Sequence, residues 1–198
     1  MNHSNAKSPT AAKALRRYLE RAPLGRVLDI GCGDGVMLET VADLAQALAG
    51  VDAYSGAVDA TRRRVPLADL RVVDLEQGLP FPDNAFNTVL FCDVIEHLRQ
   101  PVFALEEIAR TLRHGGRLML TTPNANSPFR LLKGARWFGL ADHTHLIFYS
   151  MFSLVHLLRQ TGLTPLVCRT DGLTGSTADW LLRSTHSGGT LVIIAEKQ

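Results

Sequence analysis

The sequence has few cysteines, and they do not form a recognisable pattern. The three cysteines are Cys32, Cys92 and Cys168, an odd number of residues placed far apart along the chain. No C-x-x-C pair and no Cys/His spacing typical of a zinc site occurs. The pattern therefore argues against a disulfide framework and a zinc finger, and we interpret the three cysteines as small buried hydrophobic residues.

Long apolar runs and a strong excess of charge are also absent. No run approaches the roughly 18–20 apolar residues that span a bilayer, and residues 1–10 lack the hydrophobic stretch of a secretory signal. The 198 residues are 46% hydrophobic and 20% charged, which is typical of a soluble globular domain. The net charge of +2 is too small to indicate nucleic acid binding. We expect a cytoplasmic protein with no nucleic acid partner and no stable membrane insertion.

The most informative feature that is present is a glycine-rich turn after a strand-like segment. Val27–Ile30 leads into Gly31, Gly33 and Gly35, and a helical pattern begins at Val36. Glycines in such a turn allow backbone N–H groups to approach a ligand closely. A dinucleotide site needs Gly or Ala at position 36, and a phosphate loop needs Lys followed by Ser or Thr. The turn therefore predicts a nucleotide-type cofactor site, and Val36 disfavours a nicotinamide dehydrogenase.

Strand and helix patterns alternate along the chain, which favours an α/β fold with a parallel sheet. The predicted strands cover residues 26–30, 50–53, 70–75, 86–92, 117–122, 166–169 and 190–196. The predicted helices cover residues 10–20, 36–49, 55–64, 101–114 and 150–161. Residues 124–149 are less regular and are interpreted as an insertion around one further helix.

Asp52 stands at the end of the second predicted strand, about twenty residues beyond the glycine turn. A carboxylate at that place can accept hydrogen bonds from both hydroxyls of a ribose. The alternative is an aspartate that only begins the turn into Ser55 and Gly56. The distance from the glycine turn favours the ribose role.

An ordered series of further segments follows the turn. They are Val73–Glu76, Leu79–Val89, Val94–Leu98, Leu105–Leu112, Gly115–Leu118 and Thr121–Asn124. Together with the G-x-G-x-G turn led by Asp29, this series resembles the class I S-adenosylmethionine-dependent methyltransferases of types 11 and 23, and the resemblance covers residues 26–165. One departure is Asn87, where that family usually carries Asp, and Asn can still bond the backbone at a turn.

The resemblance implies a single domain over residues 1–198, with an N-terminal helical segment over residues 1–25. The implied fold is Rossmann-like: a seven-stranded, mostly parallel sheet with helices on both faces and an antiparallel final strand. The implied cofactor is S-adenosyl-L-methionine, and the residues predicted to bind it are Asp29, Gly31, Cys32, Gly33, Asp52, Asp74, Leu75 and Asp93. In the family, the acid that matches Asp74 contacts the adenine amino group and the residue that matches Leu75 packs near the ring. The alternative for Asp74 is a turn residue.

Three histidines are the candidate catalytic residues. Transfer of a methyl group to oxygen usually requires removal of a proton, and histidine is a suitable base near neutral pH. His97 follows the fourth predicted strand, and His143 and His145 occupy alternate positions that would share one face of an extended segment. A structural role for His97 and a metal pair with Asp142 or Glu96 stay open as alternatives. Nothing else in the sequence indicates a metal, so we predict none.

The insertion contains a basic stripe and an apolar side. Arg130, Lys133 and Arg136 are three residues apart, and Phe129, Leu132 and Trp137 lie largely away from them. This pattern predicts an amphipathic helix packed on the domain or, with Gly134 weakening it, a lid over the acceptor. A helix that makes weak peripheral contact with a lipid surface is a third interpretation.

We predict a methyltransferase that acts on a small-molecule acceptor, with transfer to oxygen. The alternative is an accessory cofactor-binding protein that resembles the methionine-biosynthesis W type and works with an acyltransferase partner. That type has a similar turn over Gly31–Gly35, but the segment after Asn124 does not follow it closely.

Overall fold

A seven-stranded sheet forms the centre of the computed structural model, which describes Arg16 and residues 23–136, 141–171 and 189–198. The strands are β1 (Arg26–Ile30), β2 (Ala47–Asp52), β3 (Asp69–Val72), β4 (Phe86–Cys92), β5 (Leu112–Pro123), β6 (Leu163–Asp171) and β7 (Thr190–Lys197). Their order is β3-β2-β1-β4-β5-β7-β6. The pairs among β1 to β5 are parallel, and β7 is antiparallel to both β5 and β6. The predicted α/β class and the antiparallel final strand are confirmed.

Helices and short 3-10 turns connect these strands. The helices of the described residues are α1 (Val36–Val41), α2 (Ser55–Arg64), α3 (Pro101–Thr111), α4 (Pro128–Lys133) and α5 (Met151–Gln160). The 3-10 turns are Leu75–Gln77, Ile95–His97 and Gly134–Arg136. Helix α3 shows why these segments fold as they do: Ala104, Leu105 and Ile108 recur at helical spacing and are all buried.

The two central strands are buried on both faces. Leu28 and Ile30 of β1 and Val89, Leu90 and Phe91 of β4 are each at most 1% exposed. Parallel strands covered by helices on both sides have nearly continuous apolar sequences, which is why both strands were predictable from their residues. This rigid centre fixes the position of the loops that follow β1 and β4.

The predicted helix over residues 36–49 is too long. Helix α1 ends at Val41, and the residues predicted as its last turn begin β2 instead. Ala47 and Leu48 pair with Arg26 and Val27 of β1. Strand pairing with the central strand therefore overrides the helical spacing of the apolar residues, which is a local preference worth little by itself.

The insertion helix is also shorter than its sequence pattern indicates. Helix α4 ends at Lys133, and Gly134, with φ of +51°, begins a 3-10 turn that ends at Arg136. Leu132 is 80% exposed. The described part of the structure does not include the side chains of Phe129, Lys133 and Trp137. The predicted helix over residues 10–20 also lies outside it, apart from Arg16.

The strand order reverses between β1 and β4, because the chain runs outward from β1 to β3 and then returns to β4. In open α/β sheets, ligands bind beyond the carboxyl ends of the strands at such a reversal.

Within the described part of the chain, every helix is too short or too polar to cross a lipid bilayer.

Candidate active site

A cleft of about 320 Å³ opens at the carboxyl ends of β1 to β4. Its volume is within the range of small-molecule sites, roughly 300–1,000 Å³. The residues that line it include Gly31, Gly33, Asp52, Tyr54, Val73, Asp74, Leu75, Asp93, Val94, His97 and Thr144. Six residues of the predicted cofactor site, namely Gly31, Gly33, Asp52, Asp74, Leu75 and Asp93, therefore surround one cleft.

The glycine turn has a backbone shape that other residues rarely adopt. Gly31 and Gly33 have φ values of +69° and +57°, and a Cβ on Gly31 would collide with the side chain of Val94. The turn is held from α2, because the Thr61 hydroxyl donates to the Gly33 carbonyl oxygen at 2.9 Å. It therefore presents backbone along the cleft wall, as the cofactor site requires.

Asp52 holds the glycine turn in place. One carboxylate oxygen accepts from the Gly33 N–H and the other from the Tyr54 N–H, each at 3.0 Å. Each oxygen of a carboxylate can accept a second hydrogen bond, so Asp52 can also receive two ribose hydroxyls. The turn role and the ribose role, which were alternatives in the sequence, are compatible in the structure.

We expect Asp52→Ala to weaken binding of S-adenosylhomocysteine by roughly 10- to 150-fold. This corresponds to about 1.5–3 kcal/mol, the range for hydrogen bonds to a charged group. Isothermal titration calorimetry measures the change. Asp59→Ala is the matched control, because Asp59 lies on the exposed side of α2 and pairs with Arg62.

An unchanged affinity in Asp52→Ala, together with a lower melting temperature, would show that Asp52 is only a turn residue. An equal loss of affinity in Asp59→Ala would show that the effect is not specific to the cleft.

Asp74 and Leu75 form the far side of the cleft. The Asp74 carboxylate accepts from the Glu76 N–H at 3.0 Å and from the Gln77 side-chain amide at 3.1 Å, so it caps the first 3-10 turn. Leu75 is 6% exposed and joins the core as well as the cleft wall. The cap fixes Asp74 beside an apolar surface, an arrangement compatible with the predicted adenine contact.

Asp93 follows β4 in a strained conformation. Its φ is +53°, which is uncommon for a residue other than glycine, and its carboxylate accepts from the Thr121 hydroxyl at 3.0 Å. Such strain is found preferentially at functional sites. Asp93 is exposed and lines the cleft, opposite the side formed by Asp52.

Two of the residues predicted to bind the cofactor have side chains in the core. Asp29 is completely buried on β1, and Cys32 is 1% exposed. The Cys32 sulfur is 3.6 Å from the Thr61 hydroxyl oxygen. Neither residue lines the cleft, so the structure does not bring the side chains of this pair to the predicted cofactor site.

Among the histidines of the described residues, His97 lines the cleft. Its Nδ1 is 2.9 Å from the Thr144 hydroxyl, and its ring lies edge-on to the His145 ring with the centroids 4.7 Å apart. Burial, and then the neighbouring His145, lower the pKa of His97 below its usual value. The imidazole of His97 is therefore held in its neutral form near pH 7.

His145 lies behind His97, and His143 does not join them. The His145 side chain is 7% exposed, with Nε2 at 4.0 Å from a Glu96 carboxylate oxygen and 3.8 Å from an Asp142 carboxylate oxygen. His143 is exposed and does not line the cleft. The prediction that the two histidines share one face is wrong, because Asp142 begins a turn in which the His145 N–H donates to the Asp142 carbonyl oxygen.

Sequence reasoning missed two polar residues that line the cleft. Tyr54 is 60% exposed beside Asp52, and Thr144 reaches the cleft from the insertion. Thr144 could not be recognised locally, because its place depends on Leu146 and Ile147, whose N–H groups donate to the Glu96 carbonyl oxygen at 2.8 and 3.2 Å. The insertion thus forms part of the wall of the cleft.

The family model described as "Methyltransferase domain" matches residues 3–167. The chain belongs to this methyltransferase domain family. The match confirms the predicted family and, with it, S-adenosylmethionine as the cofactor. A solved SAM-dependent methyltransferase from Archaeoglobus fulgidus has the same fold, with a TM-score of 0.74, 20% identity and coverage of 96% of this chain and 95% of that chain.

Two curated relatives are similar in sequence to this methyltransferase. A probable S-adenosylmethionine-dependent methyltransferase of Mycolicibacterium smegmatis is 38% identical over 55% of this chain and 42% of its own length. A ubiquinone biosynthesis O-methyltransferase of Dinoroseobacter shibae is 30% identical over 80% of this chain and 64% of its own length. The chain therefore spans less than two thirds of the length of either relative.

Proposed function

We propose that this methyltransferase transfers a methyl group from S-adenosylmethionine to an oxygen atom of a small molecule. The observation that carries the proposal is the polar cluster at the edge of the cofactor cleft, where His97 forms part of the wall and His145 and Glu96 lie behind it. The relatives named ubiquinone biosynthesis O-methyltransferases support an oxygen acceptor.

The residues that line the cleft form a cofactor side and an acceptor side. The glycine turn and Asp52 hold the amino acid and ribose parts of the cofactor, and Asp74 and Leu75 hold the adenine part. A sulfonium methyl group is already activated, so the protein mainly has to align the acceptor with it and exclude water. The insertion supplies the acceptor side of the cleft through Thr144.

An oxygen acceptor differs from a neutral amine because its hydroxyl is a weak nucleophile until the proton leaves. The cluster of His97, His145 and Glu96 reaches the cleft through His97 and can assist this step. Thr144 and Asp142 orient His97, because the Thr144 hydroxyl contacts both the His97 ring and the Asp142 carboxylate. We therefore assign the cluster to activation of the acceptor hydroxyl.

The sequence has three cysteines at wide spacing, Cys32, Cys92 and Cys168, and this pattern is the reason for which we place the reaction in a reducing compartment such as the cytoplasm.

Incubation with methyl-labelled S-adenosylmethionine tests the proposal. The acceptors are a panel of phenols, catechols and carboxylic acids, with aromatic and aliphatic amines as the comparison set. We expect the label in a methyl ether or methyl ester, identified by mass spectrometry and NMR. Label found only on nitrogen or carbon would contradict the proposal. Cofactor binding without turnover, together with co-purification of an acyltransferase, would favour the accessory protein instead.

A further inference from the structure

Glu96, His97 and His145 bring three potential metal ligands together. One ligand atom from each lies within 4.8 Å of the other two. The cluster is built by the backbone, because the Leu146 and Ile147 N–H groups donate to the Glu96 carbonyl oxygen and dock the insertion on the turn after β4. Residues far apart in the sequence therefore meet at one defined place beside the cleft.

The hydrogen bonds of Thr144 determine which nitrogen of His97 can bind a ligand. The Thr144 hydroxyl donates its single proton to an Asp142 carboxylate oxygen at 2.6 Å. It must therefore accept from His97 Nδ1, 2.9 Å away, which makes Nδ1 the protonated nitrogen. Nε2 of His97 then carries the lone pair, and this atom is buried and has no hydrogen-bond partner. Histidines that bind metals are held through the other ring nitrogen in this way.

Glu96 is also oriented by a hydrogen bond from a threonine hydroxyl. Its side chain is 2% exposed, and one carboxylate oxygen accepts from the Thr122 hydroxyl at 2.9 Å. The other oxygen faces His145 Nε2 at 4.0 Å, which is longer than a hydrogen bond. In a tetrahedral site two ligands that are each about 2.1 Å from a zinc ion lie about 3.4 Å apart, so binding would draw the Glu96 oxygen and His145 Nε2 together by roughly 0.6 Å. A buried carboxylate is stabilised by such a positive charge.

We propose that Glu96, His97 and His145 bind a divalent transition-metal cation. The sequence alone predicted no metal, and the geometry points to one. Two imidazoles and one carboxylate favour Zn²⁺, Fe²⁺ or Mn²⁺ over Mg²⁺ or Ca²⁺, which prefer oxygen ligands. Three protein ligands leave a coordination position open, and His97 and Thr144 lie on the cleft wall where an acceptor would reach it.

The catalytic consequence rests on the proposed function, whereas binding of the cation does not. An acceptor hydroxyl in the open position would release its proton to solvent more easily, because the cation stabilises the alkoxide or phenoxide. The oxygen lone pair then forms the O–CH₃ bond as the C–S bond breaks, and the sulfur keeps the electron pair of that bond. In this account His97 acts as a ligand, and Thr144 and Asp142 are positioning residues.

Titration of the full chain with Zn²⁺ and Co²⁺ after dialysis against a chelator tests the site. We expect about one equivalent of Zn²⁺ per chain, and visible d–d absorption for the Co²⁺ form that an excess of Zn²⁺ abolishes. Glu96→Gln and His145→Gln should each lower the affinity for Zn²⁺ by roughly 10- to 100-fold or more. His143→Gln is the matched control, because His143 is exposed and lies two residues from His145.

Each outcome decides for or against the site. Thr144→Val keeps all three ligands but removes the orienting hydroxyl, so a loss of affinity in this variant supports the proposal even if Glu96→Gln does not fold. No binding of Zn²⁺ or Co²⁺ by the folded chain, or an unchanged affinity in His145→Gln, would overturn it.

Methyl transfer to oxygen that survives complete removal of metal would overturn the catalytic role but leave the proposed function intact. Cation binding without any O-methyl product would keep the site and reject the proposed function.

Discussion

Replacement of Gly33 by Val is expected to abolish detectable binding of S-adenosylmethionine. Gly33 has φ of +57°, a conformation that is strongly unfavourable for a β-branched residue, and it lines the cleft. Its N–H also donates to Asp52, so a shift of the turn would displace the residue proposed to hold the ribose. We expect the affinity to fall by at least roughly 100-fold, or about 2.7 kcal/mol, in calorimetric titrations.

Gly56→Val is the control for this substitution. Gly56 lies in the first turn of α2, and a Cβ there would meet no atom within 4 Å. This variant should bind the cofactor as the unchanged protein does. If Gly33→Val folds, as judged by its melting temperature and circular dichroism, and still binds normally, the glycine turn is not the cofactor site.

Replacement of His97 by Gln is expected to lower turnover on the true acceptor by about 100-fold or more, the usual scale for loss of assisted proton removal. The reason is the position of His97 on the cleft wall, with Thr144 and Asp142 orienting its ring. The affinity for S-adenosylhomocysteine should be nearly unchanged, because the proposed contacts to adenosine and to the amino acid end lie on other residues. Turnover at saturating cofactor and calorimetric affinity are the two measurements.

His156→Gln is the matched control, because His156 is exposed on α5 and does not line the cleft. Full turnover in His97→Gln would mean that transfer depends on alignment of the two substrates alone. A parallel loss of turnover and cofactor affinity would instead assign His97 to cofactor binding.

The sequence predicted the cofactor half of the cleft because its signals are local. The strand Arg26–Ile30, the glycine turn and Asp52 follow one another within about thirty residues, and parallel strands bring their carboxyl ends to one edge of the sheet. Strand Phe86–Cys92 was predicted with its observed bounds because a strand buried on both faces is mostly apolar. The predicted boundaries were wrong where pairing with a strand distant in the sequence sets them. This is the case at β2, because its first residues pair with β1.

The acceptor half could not be predicted in the same way. Glu96 and His97 meet His145 only because the backbone of Leu146 and Ile147 docks on Glu96, a contact across some fifty residues that no local pattern encodes. The alternation of His143 and His145 indicated a shared face, but a turn at Asp142 separates them. Thr144, between them, was passed over in the sequence although its hydroxyl connects His97 with Asp142.

A crystal structure of the protein with S-adenosylhomocysteine tests the central claim most directly. The account predicts the ribose hydroxyls on the Asp52 carboxylate, the amino acid end along the backbone of Gly31 and Gly33, and the sulfur directed toward the side of the cleft that His97 forms. Adenosine bound away from Asp52, or a sulfur directed away from His97, would contradict the proposed arrangement of cofactor and acceptor.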